Sequence, residues 1–316
     1  MPSNVRLIAI DIDGTLLPTS GTTISHRNRR ALREAQAAGL HIVIATGRRH
    51  QYAEPVLEQV GLSPRTIMIS SNGSVVRHFD GELMRRTLLP VESARALCPV
   101  LRPFDQTMVF TFDRERAPSL VVESMASLHR RISAWVEANR HDMVEIAPLE
   151  RSFDHGEAPI QGMLCGDIAQ VRVAQQALEA MPLSADITMH RTEYAERNLG
   201  ILDLLPLGCS KGHALADHAR SLGLDAAEVM AIGDNFNDQA MLEYAGQAVV
   251  MGNAGEEMQA LAARHDWAMT LSNDEDGVAE TLEPLIRSAQ QAQSPGPHAG
   301  NPDPEVVMTE SGIQSR

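Results

Sequence analysis

Among its 316 residues the chain has 27 lysines and arginines, yet only one of them, Lys211, is a lysine. Every other strong base is an arginine, so position 211 needs a reason for keeping the amine. Aromatic residues are also scarce, at 3% against 43% hydrophobic. This predicts aliphatic packing by Leu, Ile, Val, Met and Ala and argues against a base-stacking surface. The formal net charge of −14 repels a phosphate backbone over most of the surface, so nucleic acid is not an expected partner. Cys98, Cys165 and Cys209 are the three cysteines; they form no CxxC spacing and cannot all pair. That argues against a disulfide framework or a thiolate zinc site and fits a reducing cytoplasm. The opening "MPSNVRLIAID" lacks the basic region, apolar stretch and cleavage site of a secretory signal, and no run of about 18 apolar residues occurs. A cytoplasmic protein without a membrane partner is expected, as a monomer or weak homodimer.

What is present is a series of short aliphatic runs that stop at polar residues or glycine. "VRLIAI" precedes Asp11, "IVIA" precedes Thr46, "TIMI" precedes Ser70, "VMAI" precedes Gly233 and "AVVM" precedes Gly252. Runs without strict alternation suit strands buried on both faces, and helical patterns at 26–39, 211–223, 237–246 and 255–265 separate several of them. The fold class is α/β with a doubly wound parallel sheet, whose strand ends should meet along one edge where ligands bind. Between 85 and 205 the pattern changes to five further strand-like runs and helical stretches at 126–140 and 167–181, enough for an inserted α+β unit. The first domain is then discontinuous, 1–84 and 206–287, and the Pro- and Gly-containing segment 288–316 reads as a disordered tail.

Four acids gather at the predicted edge. "DIDG" places Asp11 and Asp13 after the first strand, and "GDNFND" places Asp234 and Asp238 after another, more than 200 residues later. DxDG alone is equally an ordinary acidic turn. Four carboxylates at one edge would raise each other's pKa, and a hard cation such as Mg²⁺ removes that conflict. Ser210 can cap the helix that Lys211 opens, which places an ammonium at a helix end that already favours anions. Thr46 offers a hydroxyl and Gly47 a backbone amide to a phosphate oxygen.

The ordered set "DIDGTLL", "ATGR", "SNG", "CSKGHAL", "GDNFND" and "MGNA" resembles the haloacid dehalogenase superfamily, specifically its Cof-type sugar-phosphate phosphatases (subfamily IIB). The resemblance covers about residues 5–287. It implies a Rossmann-like core with an inserted cap. It also implies Mg²⁺-dependent hydrolysis of small phosphorylated metabolites, such as sugar phosphates, through an aspartyl-phosphate. By the same resemblance Asp11 is the nucleophile and Asp13 the general acid/base. Thr46, Gly47, Asn72, Lys211 and Asn237 bind or approach the substrate phosphate; Asp11, Asp13 and Asp234 hold the metal; Asp238 supports the site. In the cap, His190, Arg191, Glu193 and Tyr194 are polar enough to read a sugar, but they are read first as ordinary surface residues and not as part of the site.

Two other readings use the same residues. A phosphomutase would pass the phosphoryl group to another hydroxyl of the substrate instead of to water. A phospho-accepting signalling module also sets acids, a hydroxyl and a lysine at a sheet edge, although the paired acids and the large insertion argue against it.

Overall fold

The computed structural model describes residues 4–293 except 105, 106, 115, 117, 127 and 129. In chain order the strands are β1 (Leu7–Ile10), β2 (His41–Ala45), β3 (Ile67–Ser70), β4 (Val75–His78), β5 (Leu83–Arg86), β6 (Thr107–Thr111), β7 (Leu120–Val122), β8 (Met143–Glu145), β9 (Gln161–Asp167), β10 (Ile187–Tyr194), β11 (Leu199–Pro206), β12 (Val229–Gly233), β13 (Gln247–Val250) and β14 (Ala268–Met269). The helices are α1 (His26–Ala37), α2 (His50–Glu58), α3 (Val91–Leu101), α4 (Ser133–Asn139), α5 (Ile168–Glu179), α6 (Lys211–Ser221), α7 (Gln239–Tyr244), α8 (Glu256–His265) and α9 (Gly277–Gln293).

The core sheet runs β14-β13-β12-β1-β2-β3-β4-β5, parallel from β14 to β3 and antiparallel over β4 and β5. Its inner strands β1, β2, β3 and β12 are apolar along most of their length because both faces are covered. Ile8, Ile10, Ile42, Ile44 and Ile232 point to one side, against α1 and α9 residues such as Leu32 and Leu282. Leu7, Ala9, Val43, Ala45 and Ala231 point to the other, against Leu215 of α6, Met241 of α7 and Leu261 of α8. β1 lies between β2 and β12, so the chain leaves it in opposite directions on its two sides. That is a topological switch point, and it opens a crevice at the carboxyl end of β1, where Asp11 follows.

A second sheet, β10-β11-β9-β6-β7-β8, forms the cap and is antiparallel except for the β7–β8 pair. Pleating divides it into two faces. Phe110, Leu164, Leu202 and Leu204 pack with Leu97 of α3 and Val171 and Leu178 of α5. Val109, Met163, Ile201 and Asp203 lie on the other face, which looks onto the core and is partly covered by α4 through Val136 and Trp135.

Several expected boundaries shift. The core sheet extends past residue 84, through Arg86, because β5 pairs with β4. The last cap strand, β11, stays in the cap sheet as far as Pro206, since it pairs with β9 and β10 along its length. Of the expected cap helix at 126–140, Ser133–Asn139 is α-helical and Arg130–Ile132 a 3₁₀ turn, while 127 and 129 lie outside the described residues. The supposed tail does not begin at 288: α9 continues to Gln293, with Ile286 buried and Ala289 packed against the core beside α1. Residues 294–316 lie outside the described residues. Among the described residues no helix is long and apolar enough to cross a membrane.

Candidate active site

The chain turns sharply after β1. Gly14 has φ +79°, and a Cβ there would fall 2.3 Å from Asp234 Oδ2, so the turn requires glycine to let the two acidic segments approach. Thr15 closes the approach from its own side by donating from its hydroxyl to Asp234 Oδ1 at 3.2 Å. Asn253 donates to the Gly14 carbonyl at 2.8 Å and ties the turn to the loop after β13.

Lys211 is the first residue of α6, and Ser210 caps that helix by accepting from the His213 amide at 3.0 Å. The lysine is completely buried, and its Nζ donates to Asp11 Oδ1 and to Asp238 Oδ1, each at 2.7 Å. Burial alone would disfavour the ammonium, but Asp11 and Asp238 hold its pKa above the ordinary lysine value. Asp238 spends its second oxygen on the backbone amides of Asp234 at 3.0 Å and Asn235 at 3.1 Å. Both of its oxygens therefore serve to shape the "GDNFND" turn and hold the lysine.

Burial raises the Asp11 carboxyl to about 7, with Asp238 and Asp13 adding to the rise and Lys211 opposing it. Asp234 is raised well above the usual carboxylate range, again by burial first and then by Asp238 and Asp11. Oxygens of Asp11, Asp234 and Asp238 all lie within 4.8 Å of one another. Among the described residues three buried carboxyls face one ammonium, so they cannot all ionise unless a further cation joins them. An all-oxygen donor set with excess negative charge fits a hard divalent cation. Asp11 and Asp234 have the capacity to hold one, since Asp238 is committed to Lys211 and the backbone.

The Asp13 carboxylate lies outside that group of side-chain oxygens. Its oxygens instead accept a forked pair of hydrogen bonds from Arg48, at 2.8 Å from Nε and 2.6 Å from Nη2. The physical reason is planar matching of guanidinium to carboxylate, which an arginine three residues beyond β2's end can reach. Sequence reasoning passed over Arg48, although it stands in "ATGRR".

Thr46 is fully buried at the end of β2, and its hydroxyl accepts from the Arg48 amide at 3.1 Å. Gly47 lies against Asn72 and Asn237: a Cβ there would sit 3.2 Å from Asn72 Oδ1 and 3.6 Å from Asn237 Nδ2. Asn237 donates to Asn72 Oδ1 at 3.1 Å, and Asn72 in turn donates to Asp203 Oδ2 on cap strand β11 at 2.8 Å. Burial raises Asp203 to about 7, with Asn72 and Lys211 opposing. The cap also meets the core at Arg49, which pairs with Asp142 and donates to Asn139 at 3.3 Å, and at Tyr52, which donates to the Ala138 carbonyl at 2.9 Å.

These contacts enclose a cavity of about 340 Å³ between the two layers, with Asp11, Asp13, Gly47, Arg48 and Asn237 on the core side. Of the four polar cap residues noted in the sequence, Tyr194 lines this cavity. His190 instead reaches the Cys209 carbonyl at 3.3 Å, Arg191 stacks over Phe236 at 5.8 Å, and Glu193 is held by Arg172 at 2.7 and 2.6 Å.

The family model for haloacid dehalogenase-like hydrolases matches residues 8–282. Phosphatase YwpJ of Bacillus subtilis is 31% identical over 302 residues, spanning 89% of this chain and 100% of that protein. HMP-PP phosphatase of Serratia proteamaculans is 29% identical over 92% of this chain and 98% of its own. A solved haloacid dehalogenase-like hydrolase from B. subtilis superposes with a TM-score of 0.72 at 27% identity, covering 89% of this chain and 100% of that one. With the switch-point crevice and its acids already in place, these matches settle the kinship: the chain belongs to the haloacid dehalogenase-like hydrolases, in the Cof-type subfamily IIB, and is a phosphatase.

Proposed function

We propose that this phosphatase is Mg²⁺-dependent, acts on small phosphomonoesters, and works through an aspartyl-phosphate on Asp11. The observation that carries the reading is the disposition of Asp11: Lys211 holds Oδ1, while Oδ2 has no hydrogen bond among the described residues and the residue faces the cavity. Oδ2 is the attacking atom. It forms a bond to phosphorus as the ester P–O bond opposite breaks, and the leaving oxygen takes a proton from Asp13. Water then gives a proton to Asp13 and attacks the phosphorus of the aspartyl-phosphate, releasing inorganic phosphate and restoring Asp11. Arg48 must free one Asp13 oxygen for these transfers and remains close enough to keep the side chain oriented.

Lys211, the Thr46 hydroxyl and the Gly47 amide surround the place where phosphoryl oxygens gather charge. Asp11 and Asp234 would hold Mg²⁺, which would neutralise the acids and the phosphoryl oxygens. The cap excludes water and leaves the cavity as the space for the leaving group. Phosphate release from a panel of sugar, nucleotide and cofactor phosphomonoesters, with and without Mg²⁺, tests the reading. Release that requires Mg²⁺ and is lost in Asp11→Asn is expected, and undiminished release by Asp11→Asn overturns it.

A further inference from the structure

The donors gathered around the phosphoryl position, Lys211, Thr46 and Gly47, all belong to the core. Asp11, Asp13 and Asp234 stand in the same place, so a phosphate dianion entering there meets repulsion on several sides. A further donor on the cap side would offset it, and β10 supplies one. Thr192 and Tyr194, two residues apart, share the strand face that lines the cavity opposite Asp11 and Asp13.

The residues before Tyr194 bring it to the acids. Asn235, the neighbour of Asp234, donates from its side-chain amide to the Glu193 carbonyl at 3.4 Å, and the Arg191 guanidinium lies 5.8 Å from the centre of the Phe236 ring. The end of β10 is thereby docked on the "GDNFND" turn. The Tyr194 ring packs on the cap cluster that holds Val136, Cys165 and its own register partner Leu199. Its body is fixed in the cap, while its hydroxyl has no hydrogen-bond partner among the described residues. That hydroxyl is open to the cavity, unlike the sealed hydroxyl of Ser71. Burial first, then the charges of Asp13, Asp234 and Asp11, hold the phenol well above its ordinary pKa, so it stays a donor.

Resting on the aspartyl-phosphate reading, we propose that Tyr194 is a catalytic residue supplied by the cap: its hydroxyl donates to a non-bridging oxygen of the phosphoryl group in transit to Asp11. It keeps its own proton throughout, and Asp13 alone exchanges one with the leaving oxygen and with water. The fixed acceptors nearby are already served, since Asp13 takes two hydrogen bonds from Arg48 and Asp11 Oδ1 takes one from Lys211. The phosphoryl group is the acceptor that arrives with its charge unmatched. An O–H held in place by a packed ring meets that charge with little reorganisation. Tyr194 thus acts on the group common to all substrates and not on a sugar, and it acts only while the cap is docked.

The test measures phosphate release by the full chain with Mg²⁺ from p-nitrophenyl phosphate, acetyl phosphate and glucose 6-phosphate, with orthovanadate as an inhibitor that mimics the phosphoryl group in transit. Tyr194→Phe keeps the packed ring and gives up an oxygen without a partner, so its Tm should match the wild type. Its kcat/KM should fall about 10- to 100-fold, by a common factor on all three substrates and chiefly through kcat. Its Ki for orthovanadate should rise by a similar factor. Asp11-dependent release with kcat/KM and the orthovanadate Ki unchanged in Tyr194→Phe overturns this inference alone. So does a loss confined to glucose 6-phosphate, which would make Tyr194 a reader of the leaving group. Release undiminished by Asp11→Asn overturns the aspartyl-phosphate reading, and this inference falls with it.

Discussion

Asn72 of the core donates to Asp203 of the cap across 2.8 Å, and the same Asn72 accepts from Asn237 at 3.1 Å. One amide therefore links the inserted layer to the loop that also presents Asp234 and Asp238. Because burial raises the Asp203 carboxyl to about 7 from an ordinary 3.8, the folded chain keeps this proton over a range where the unfolded chain loses it. The contribution to stability is full below about 3.8 and declines as pH rises to about 7. Asp203→Asn removes that decline, so its Tm should gain on the wild type between those limits. Superimposable Tm-against-pH curves would count against a raised Asp203. Asp203→Ala, which strands the Asn72 amide, should lower stability by about 1–3 kcal/mol and raise KM.

Lys211 answers to charge and to shape separately. Lys211→Met leaves Asp11 and Asp238 buried without their cation and should cost about 3–5 kcal/mol. Lys211→Arg keeps the charge but forces a larger planar head into a site with no exposure, at about 1–3 kcal/mol. Its kcat should nonetheless fall by roughly a thousandfold. Denaturation midpoints and kcat measured side by side separate the two effects, and near-normal turnover by Lys211→Arg would refute the requirement for an amine.

Gly212 tests how the lysine is positioned. A Cβ at this residue would lie 2.2 Å from the Ala240 carbonyl oxygen, so α6 and α7 touch through backbone there. Gly212→Ala should push the helices apart, lower stability by about 1–3 kcal/mol, and stretch the Lys211–Asp238 contact that spans the same gap. Activity assayed well below the Tm should fall further than the loss of folded protein explains. A variant that is merely less stable, with normal kcat, would show that the helix contact does not set the ammonium position.

Metal binding should reverse the electrostatic conflict among the acids. Mg²⁺ at about 100 times its Kd should add roughly 2.7 kcal/mol to stability. Asp234→Asn removes a carboxylate that burial, with Asp238 and Asp11, pushes well above its ordinary pKa. It should be more stable than the wild type in chelator at neutral pH and gain little on adding Mg²⁺. Equal Mg²⁺-induced shifts in Tm for the two proteins would remove Asp234 from the metal site.

The sequence by itself determined the core architecture and named the candidate residues. Aliphatic runs ending at Asp11, Thr46 and Gly233 are local signals, and strands covered on both faces have few alternatives to a parallel sheet. The helices expected at 26–39, 211–223 and 255–265 start at His26 and Lys211 as read, and at Glu256, within one residue of the third. The cap was harder to read because its strands are short and its helices depend on what they pack against. α3, with Pro99 inside it, and β8, three residues long, gave no clear periodic pattern.

Only the tertiary structure decided which partner each functional side chain takes. Nothing near Asp13 in the chain announces that Arg48 will clasp it, and nothing near Asn72 announces Asp203, 131 residues away. The same holds for the wall of the cavity: Gln161 and Met163 face the site, while Leu164 faces the cap helices, because the pleat points successive residues to opposite sides. Pattern identifies which residues are fit for the chemistry. Their pairing depends on non-local docking of cap on core, whose geometry no local stretch of sequence contains.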